Sequence, residues 1–140
     1  MRYLLDTCVI SELVARQPDS RLVQWIDTMD EERLYLSVIS IGEIKKGIEK
    51  LSDSSRKSAL EQWLEDDLFL RFRDKILPID TQVMLVWGEL TATLERQGKS
   101  MPAMDSLIAA IALQSKLNLV TRNEDDFVYS GVPVINPWQG

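Results

Sequence analysis

Histidine is absent from the 140 residues of this chain. Its absence excludes Ser-His-Asp and Cys-His nucleophilic catalysis, paired-imidazole ribonuclease chemistry and histidine-ligated zinc hydrolysis. Cysteine occurs once, as Cys8, so no intrachain disulfide can form and no cysteine-rich zinc site can be assembled. A reducing, cytoplasmic compartment is the expectation. No run of about 18 apolar residues exists, and the opening Met-Arg-Tyr-Leu-Leu-Asp meets an acid at Asp6 where a signal peptide needs an apolar segment. Neither a membrane span nor a secretory leader is expected. Bases are also in short supply: 16 Lys and Arg face 22 Asp and Glu, for a formal charge of −6. That balance argues against a broad electrostatic grip on nucleic acid while leaving room for a local basic patch.

What remains for chemistry is carboxylate, and an acidic excess also suits a metal site. The length and a hydrophobic content of 45% fit one globular domain with a core of its own. Short apolar runs at Arg2 to Leu5, Leu34 to Ser37, Ile76 to Asp80 and Leu119 to Thr121 read as strands, and the stretch from Gly131 to Pro137 reads as a turn leading to a fifth. Between them lie helical stripes such as Leu22, Trp25, Ile26 and Met29; Leu60, Trp63, Leu64 and Leu68; and Val83, Val86, Trp87, Leu90 and Leu94. Strands alternating with helices predict an α/β fold, a five-stranded, mostly parallel sheet covered on both faces in three α/β/α layers.

In such sheets ligands bind outside the carboxyl ends of the strands, and acids recur there. Asp6 follows the first strand, where it also suits an N-cap. Glu43 follows the second, in Ser-x-x-Glu spacing with Ser40 that equally suits a capping box. Asp105 sits behind Pro102 in the first turn of an apolar helix running through Leu107, Ile108, Ile111 and Ala112, where the helix dipole alone would favour an acid. Asn123 to Asp126 follow the fourth strand. Several acids converging on one dry point repel one another unless a divalent cation occupies it. Oxygen ligands without histidine or thiolate favour Mg²⁺ or Mn²⁺ over zinc. Lys45, Lys46 and Lys50 on the helix of Glu43, and Arg71, Arg73 and Lys75 before the third strand, read as solvated faces that also suit a phosphate backbone.

Leu4-Leu5-Asp6-Thr7, Glu43 in Ser-Val-Ile-Ser-Ile-Gly-Glu-Ile, Asp105 in Pro-Ala-Met-Asp-Ser-Leu-Ile-Ala-Ala, and Leu-Val-Thr-Arg-Asn followed by Asp126-Phe127 together resemble a PIN domain. The resemblance is to the VapC-like toxin branch that includes the FitB-like proteins, and it spans essentially the whole chain. It implies a Mg²⁺-dependent endoribonuclease, toxic when free and inhibited by a cognate VapB-like antitoxin, with RNA as substrate and two toxin copies in the assembly. It also implies that Asp6 and Asp105 hold metal and that Glu43 is the third acid of the catalytic set. Thr7, Lys45, Lys46 and Arg122 are the candidates for RNA contact. Two positions depart from the pattern. Cys8 stands where the branch commonly has Asn, beside Asp6. Asn123 stands where many relatives carry a fourth Asp, so that role is lost, softened to a neutral amide ligand, or passed to Asp126; the amide account is the expectation here.

Other readings fit less well. A phosphoaspartate enzyme of the haloacid dehalogenase type wants a second Asp where Cys8 stands. A receiver domain would use Asp80 but wants an acidic pair near Asp6 and a lysine after the last strands. The serious alternative is a catalytically weak or inactive PIN-fold module that binds an antitoxin or RNA without cutting it.

Overall fold

The computed structural model describes residues 1–139. Five strands, β1 (Tyr3–Leu5), β2 (Leu34–Ser37), β3 (Ile76–Leu77), β4 (Asn118–Val120) and β5 (Val134–Ile135), form one sheet in the order β3-β2-β1-β4-β5. Every pairing is parallel, so "mostly parallel" understates the sheet. The order reverses at β1, and parallel neighbours require a crossover between strands. Those crossovers are α1 (Thr7–Leu13), α2 (Ser20–Thr28), α3 (Val38–Glu49), α4 (Ser55–Gln62), a short α5 (Phe69–Arg71), α6 (Thr81–Arg96) and α7 (Ala103–Ser115).

Side chains alternate across a strand, and the core divides accordingly. Leu5, Leu34, Leu36 and Val120 face a cluster with Val9, Ile10, Leu22, Ile44, Leu64 and Phe72. Leu4 and Leu119 face the opposite one, with Val83, Ile108, Ile111 and Phe127. The central strand β1 thus feeds both. Its neighbour on the second face, α7, buries an unbroken run from Ile108 to Ala112. Small alanines there let the helix lie close on the sheet, as the sequence pattern predicts.

Three local differences bear on the site. Helix α3 starts earlier than the Ser40 spacing implies: Ser37 is its N-cap, its hydroxyl accepting from the Ser40 amide at 3.2 Å. Ser40 and Glu43 therefore make no capping box, and Glu43 lies on the second turn with no part in the cap. The stripe from Leu60 to Leu68 is not one α-helix. It widens into a π-helical turn over Trp63–Leu68, which keeps Leu64 and Leu68 inward and delivers Phe72 to the core. The third strand is only Ile76–Leu77, because Pro78 cannot donate to the ladder; Asp80 instead caps α6 by accepting from the Val83 amide at 2.9 Å. Among the described residues no helix is long and apolar enough to cross a membrane.

Candidate active site

Asp6 and Thr121 stand side by side one residue beyond the paired ends of β1 and β4, where the ladder continues through the Asp6 amide to the Val120 carbonyl at 2.9 Å. Both are buried. The two Asp6 oxygens are held differently. Oδ1 accepts from the Thr7 amide at 2.8 Å, so Asp6 does cap α1; Oδ2 accepts from the Thr121 hydroxyl at 2.8 Å. The Cys8 sulfur lies 3.9 Å from Asp6 Oδ2 and 3.5 Å from Thr121 Oγ1. Burial pushes the Cys8 thiol up, which keeps it protonated and unfit as a thiolate ligand. The substitution at position 8 therefore leaves the oxygen character of the site intact.

Thr7, the first residue of α1, links Asp6 to α3. Its hydroxyl donates to Glu43 Oε1 at 2.6 Å and lies 2.8 Å from the Ser40 hydroxyl. An ionised carboxylate can only accept, so the single Thr7 proton goes to Glu43 and Ser40 supplies the proton of the second bond. Thr7 thus orients an acid, a role distinct from the RNA contact expected of it.

Asp105 enters from the first turn of α7, behind the N-cap Pro102. Its carboxyl is pushed up to about 6, first by burial and then by the negative charges of Asp6, Asp126 and Glu43. Burial likewise raises Asp6, with Glu43 adding to the rise, while the bonds from Thr121 and Thr7 oppose it. Four acids from four parts of the chain therefore act on one region of space. None of the four forms an ion pair with a base; the salt bridges among the described residues all involve other acids.

The segment after β4 decides the fourth position's geometry. A 3-10 turn over Glu124–Phe127 brings the Asp126 amide back to the Asn123 carbonyl at 3.1 Å and buries Phe127 behind it. This helical turn returns Asp126 within reach of Asp105, which feels its charge. Asn123 contributes its backbone amide to Thr121 Oγ1 at 3.1 Å, whereas its exposed side chain makes no hydrogen bond. The Asp126 side chain is likewise exposed, and what it brings to the site is its charge beside Asp105.

The expected bases disperse. Lys45 is paired with Glu49 at 2.9 Å, one turn along α3. Arg122 reaches toward Glu12 at 3.8 Å and lies 5.2 Å over the Trp138 ring. Arg71 is forked onto Glu31 at 2.6 Å, and the Lys75 ammonium donates to the Glu31 carbonyl, so these two serve a sheet-edge contact and form no free basic edge. Lys46, Lys50 and Arg73 enter no ion pair among the described residues, and Lys46 and Lys50 border a groove that begins at Glu43. Sequence reasoning missed Thr121 and Ser40 as parts of the site. The only signal for Thr121 was its place directly after an apolar strand.

No three of the described carboxylates and thiols stand close enough to make a finished cation cage. The donor set nevertheless fits a divalent cation: all oxygen, buried at Asp6, half-buried at Asp105 and open to solvent at Glu43 and Asp126, mutually repelling and without a basic partner.

The model of the PIN domain family matches residues 3–129. The chain belongs to the PIN domain family. Toxin FitB of Neisseria gonorrhoeae is 37% identical over 135 residues, covering 96% of this chain and 97% of that protein. VapC ribonuclease Y4jK of Sinorhizobium fredii is 32% identical over 136 residues, covering 97% of each. A crystal structure of FitAcB from Neisseria gonorrhoeae superposes with a TM-score of 0.94 at 36% identity, covering 99% of each chain. Within this PIN protein the acids described above occupy the carboxyl edge of the sheet, beside the strand β1 where the order reverses.

Proposed function

We propose that this PIN protein is the toxin of a type II toxin-antitoxin system, a Mg²⁺-dependent endoribonuclease that hydrolyses phosphodiester bonds in single-stranded or looped RNA. The observation that carries the reading is the gathering of Asp6, Glu43, Asp105 and Asp126 with no base to neutralise them, an arrangement in which burial first, and the other three charges second, raise the Asp105 carboxyl to about 6. Membership of a family whose ribonucleases generally depend on divalent metal supports it, as do relatives named toxin FitB and VapC ribonuclease.

In this reading Asp6 and Asp105 hold the cation, and Glu43 and Asp126 complete the negative surround. Thr121 and Thr7 fix the orientation of Asp6, and Thr7 that of Glu43. A divalent cation bound there supplies positive charge against the phosphate and acidifies water; Mg²⁺ suits the oxygen-only set, with Mn²⁺ as a substitute. The near-neutral titration of Asp105 makes cation binding a competition with protons, since an ionised carboxylate is the ligand. We further propose a cytoplasmic, one-domain protein over residues 1–140, paired two-fold with a second copy. A VapB-like antitoxin would silence it by presenting a basic side chain to the uncompensated acids.

The test is incubation of purified protein with total RNA in Mg²⁺ and in EDTA, beside Asp105→Asn. Cleavage in Mg²⁺ that is lost in EDTA and in the variant is expected. Equal cleavage in both buffers would overturn the reading. The spacing of the acids, too wide for a finished cage, favours a second reading: a PIN module that binds antitoxin or RNA without cutting. No cleavage by either protein in Mg²⁺ would select it.

A further inference from the structure

A groove of about 690 Å³ leaves the acid cluster along α3. Its floor is one helical stripe, Glu43, Lys46, Gly47 and Lys50, at the spacing that puts residues on a single face. Its far wall carries Ile79, Met104 and Leu107, the last two flanking Asp105 in sequence. The groove therefore begins at Glu43 and runs past residues on either side of Asp105 in sequence.

Three features say what fits it. Lys46 and Lys50 form no ion pair among the described residues, in a chain of net charge −6, while Lys45, off this stripe, is neutralised by Glu49. Helical rise separates Lys46 from Lys50 by about 6 Å, a step on the scale of neighbouring phosphates in an extended strand. Opposite these cations, Met104 is 54% and Ile79 38% exposed, an apolar wall for the face of an unstacked base. The interior of α3 also holds Gly42 and Gly47, where an added Cβ would meet nothing within 4 Å. Glycine weakens a helix interior, and neither position has a packing reason for it; both leave room for close approach to the groove floor.

We propose that this groove holds the single-stranded RNA next to the scissile phosphate, with Lys46 and Lys50 on successive phosphates and Met104 and Ile79 against a base. The inference rests on the ribonuclease reading and adds to it the residues that seat the strand.

The experiment measures binding of a labelled, unstructured RNA oligonucleotide to the Asp105→Asn protein by fluorescence anisotropy across a salt series, so that binding is read without cleavage. Lys46→Gln and Lys50→Gln are each expected to weaken binding roughly fivefold and to reduce the slope of log affinity against log salt by about 0.7, the single-strand value for one phosphate. Lys45→Gln is expected to change neither. Gly47→Ala is expected to raise the melting temperature and still weaken binding, a combination that damage to the fold cannot produce. Unchanged affinity and slope in both lysine variants would overturn the proposal. So would a lysine or Met104→Ser variant that alters the mass in light scattering and leaves RNA affinity intact, since the groove would then seat a protein chain. Cleavage by the unmodified protein is scored separately, so a failed groove and a failed ribonuclease reading give different results.

Discussion

Asp105 is a carboxyl group that the fold prefers to keep protonated. Its titration lies near 6 in the folded chain against about 3.9 in an unfolded one. The folded state therefore binds the proton more tightly. The associated stability is fully present below pH about 4 and is lost as pH rises through about 6. Asp105→Asn is accordingly expected to melt higher than the unmodified protein in EDTA at pH 7.5, by roughly 1 kcal/mol after allowance for solvent screening, with no difference near pH 4. Differential scanning fluorimetry across pH checks this, and Mg²⁺ should stabilise only the unmodified protein. Thr121→Val removes the hydroxyl that favours ionised Asp6. The Asp6 carboxyl, already raised, then rises further, and the pH profile of Mg²⁺-dependent cleavage is expected to move to higher pH. Asp126→Asn is expected to raise the Mg²⁺ needed for half-maximal cleavage more than Asn123→Ala does; the reverse order in metal titrations would return the fourth role to Asn123. Asp6, Glu43 and Asp105 were legible in the sequence because each sits in a local motif at a strand or helix end. Thr121 was not, since its partner Asp6 is 115 residues away and meets it only through the pairing of β1 with β4.

The helices differ in how far their own residues announce them. α6 shows its stripe plainly and the structure keeps it, whereas Asp80, read as the end of the third strand, caps the helix instead. The start of α3 was misread because Ser37 and Ser40 both precede a plausible turn, and only the backbone shows that Ser37 takes the cap. Ser37→Ala should cost about 1 kcal/mol in chemical denaturation, where Ser40→Ala would remove no cap. The π-helical turn at Trp63–Leu68 was invisible because Leu60, Trp63, Leu64 and Leu68 share one face whether the turn is narrow or wide. α7 carries the heaviest packing demand. Ile111 is fully buried between sheet and neighbours, and Ile111→Ala is expected to cost about 2–5 kcal/mol by cavity formation. Because the same helix presents Asp105, loss of packing there should also blunt cleavage in proportion to the unfolded fraction.

At the scale of the molecule the layered α/β plan followed from the alternation of short apolar runs with helical stripes. Strand order did not, because no local pattern tells β1 to lie between β2 and β4. Two copies are the expected assembly, so light scattering at roughly tens of micromolar, far above a Kd near 1 μM, should return twice the chain mass; a single-chain mass would remove the pairing. The sheet order has a further consequence in time. β1 begins at Tyr3 and its neighbour β4 at Asn118, and contacts of such separation form late because the loop must close before they reward the chain. Asp6 gains the Thr121 hydroxyl, and Asp105 and Asp126 join it, only when β4 and the turn after it have docked beside β1. A chain cut short before α7 therefore carries Asp6 and Glu43 without Thr121, Asp105 and Asp126, and the nuclease site closes in one late step.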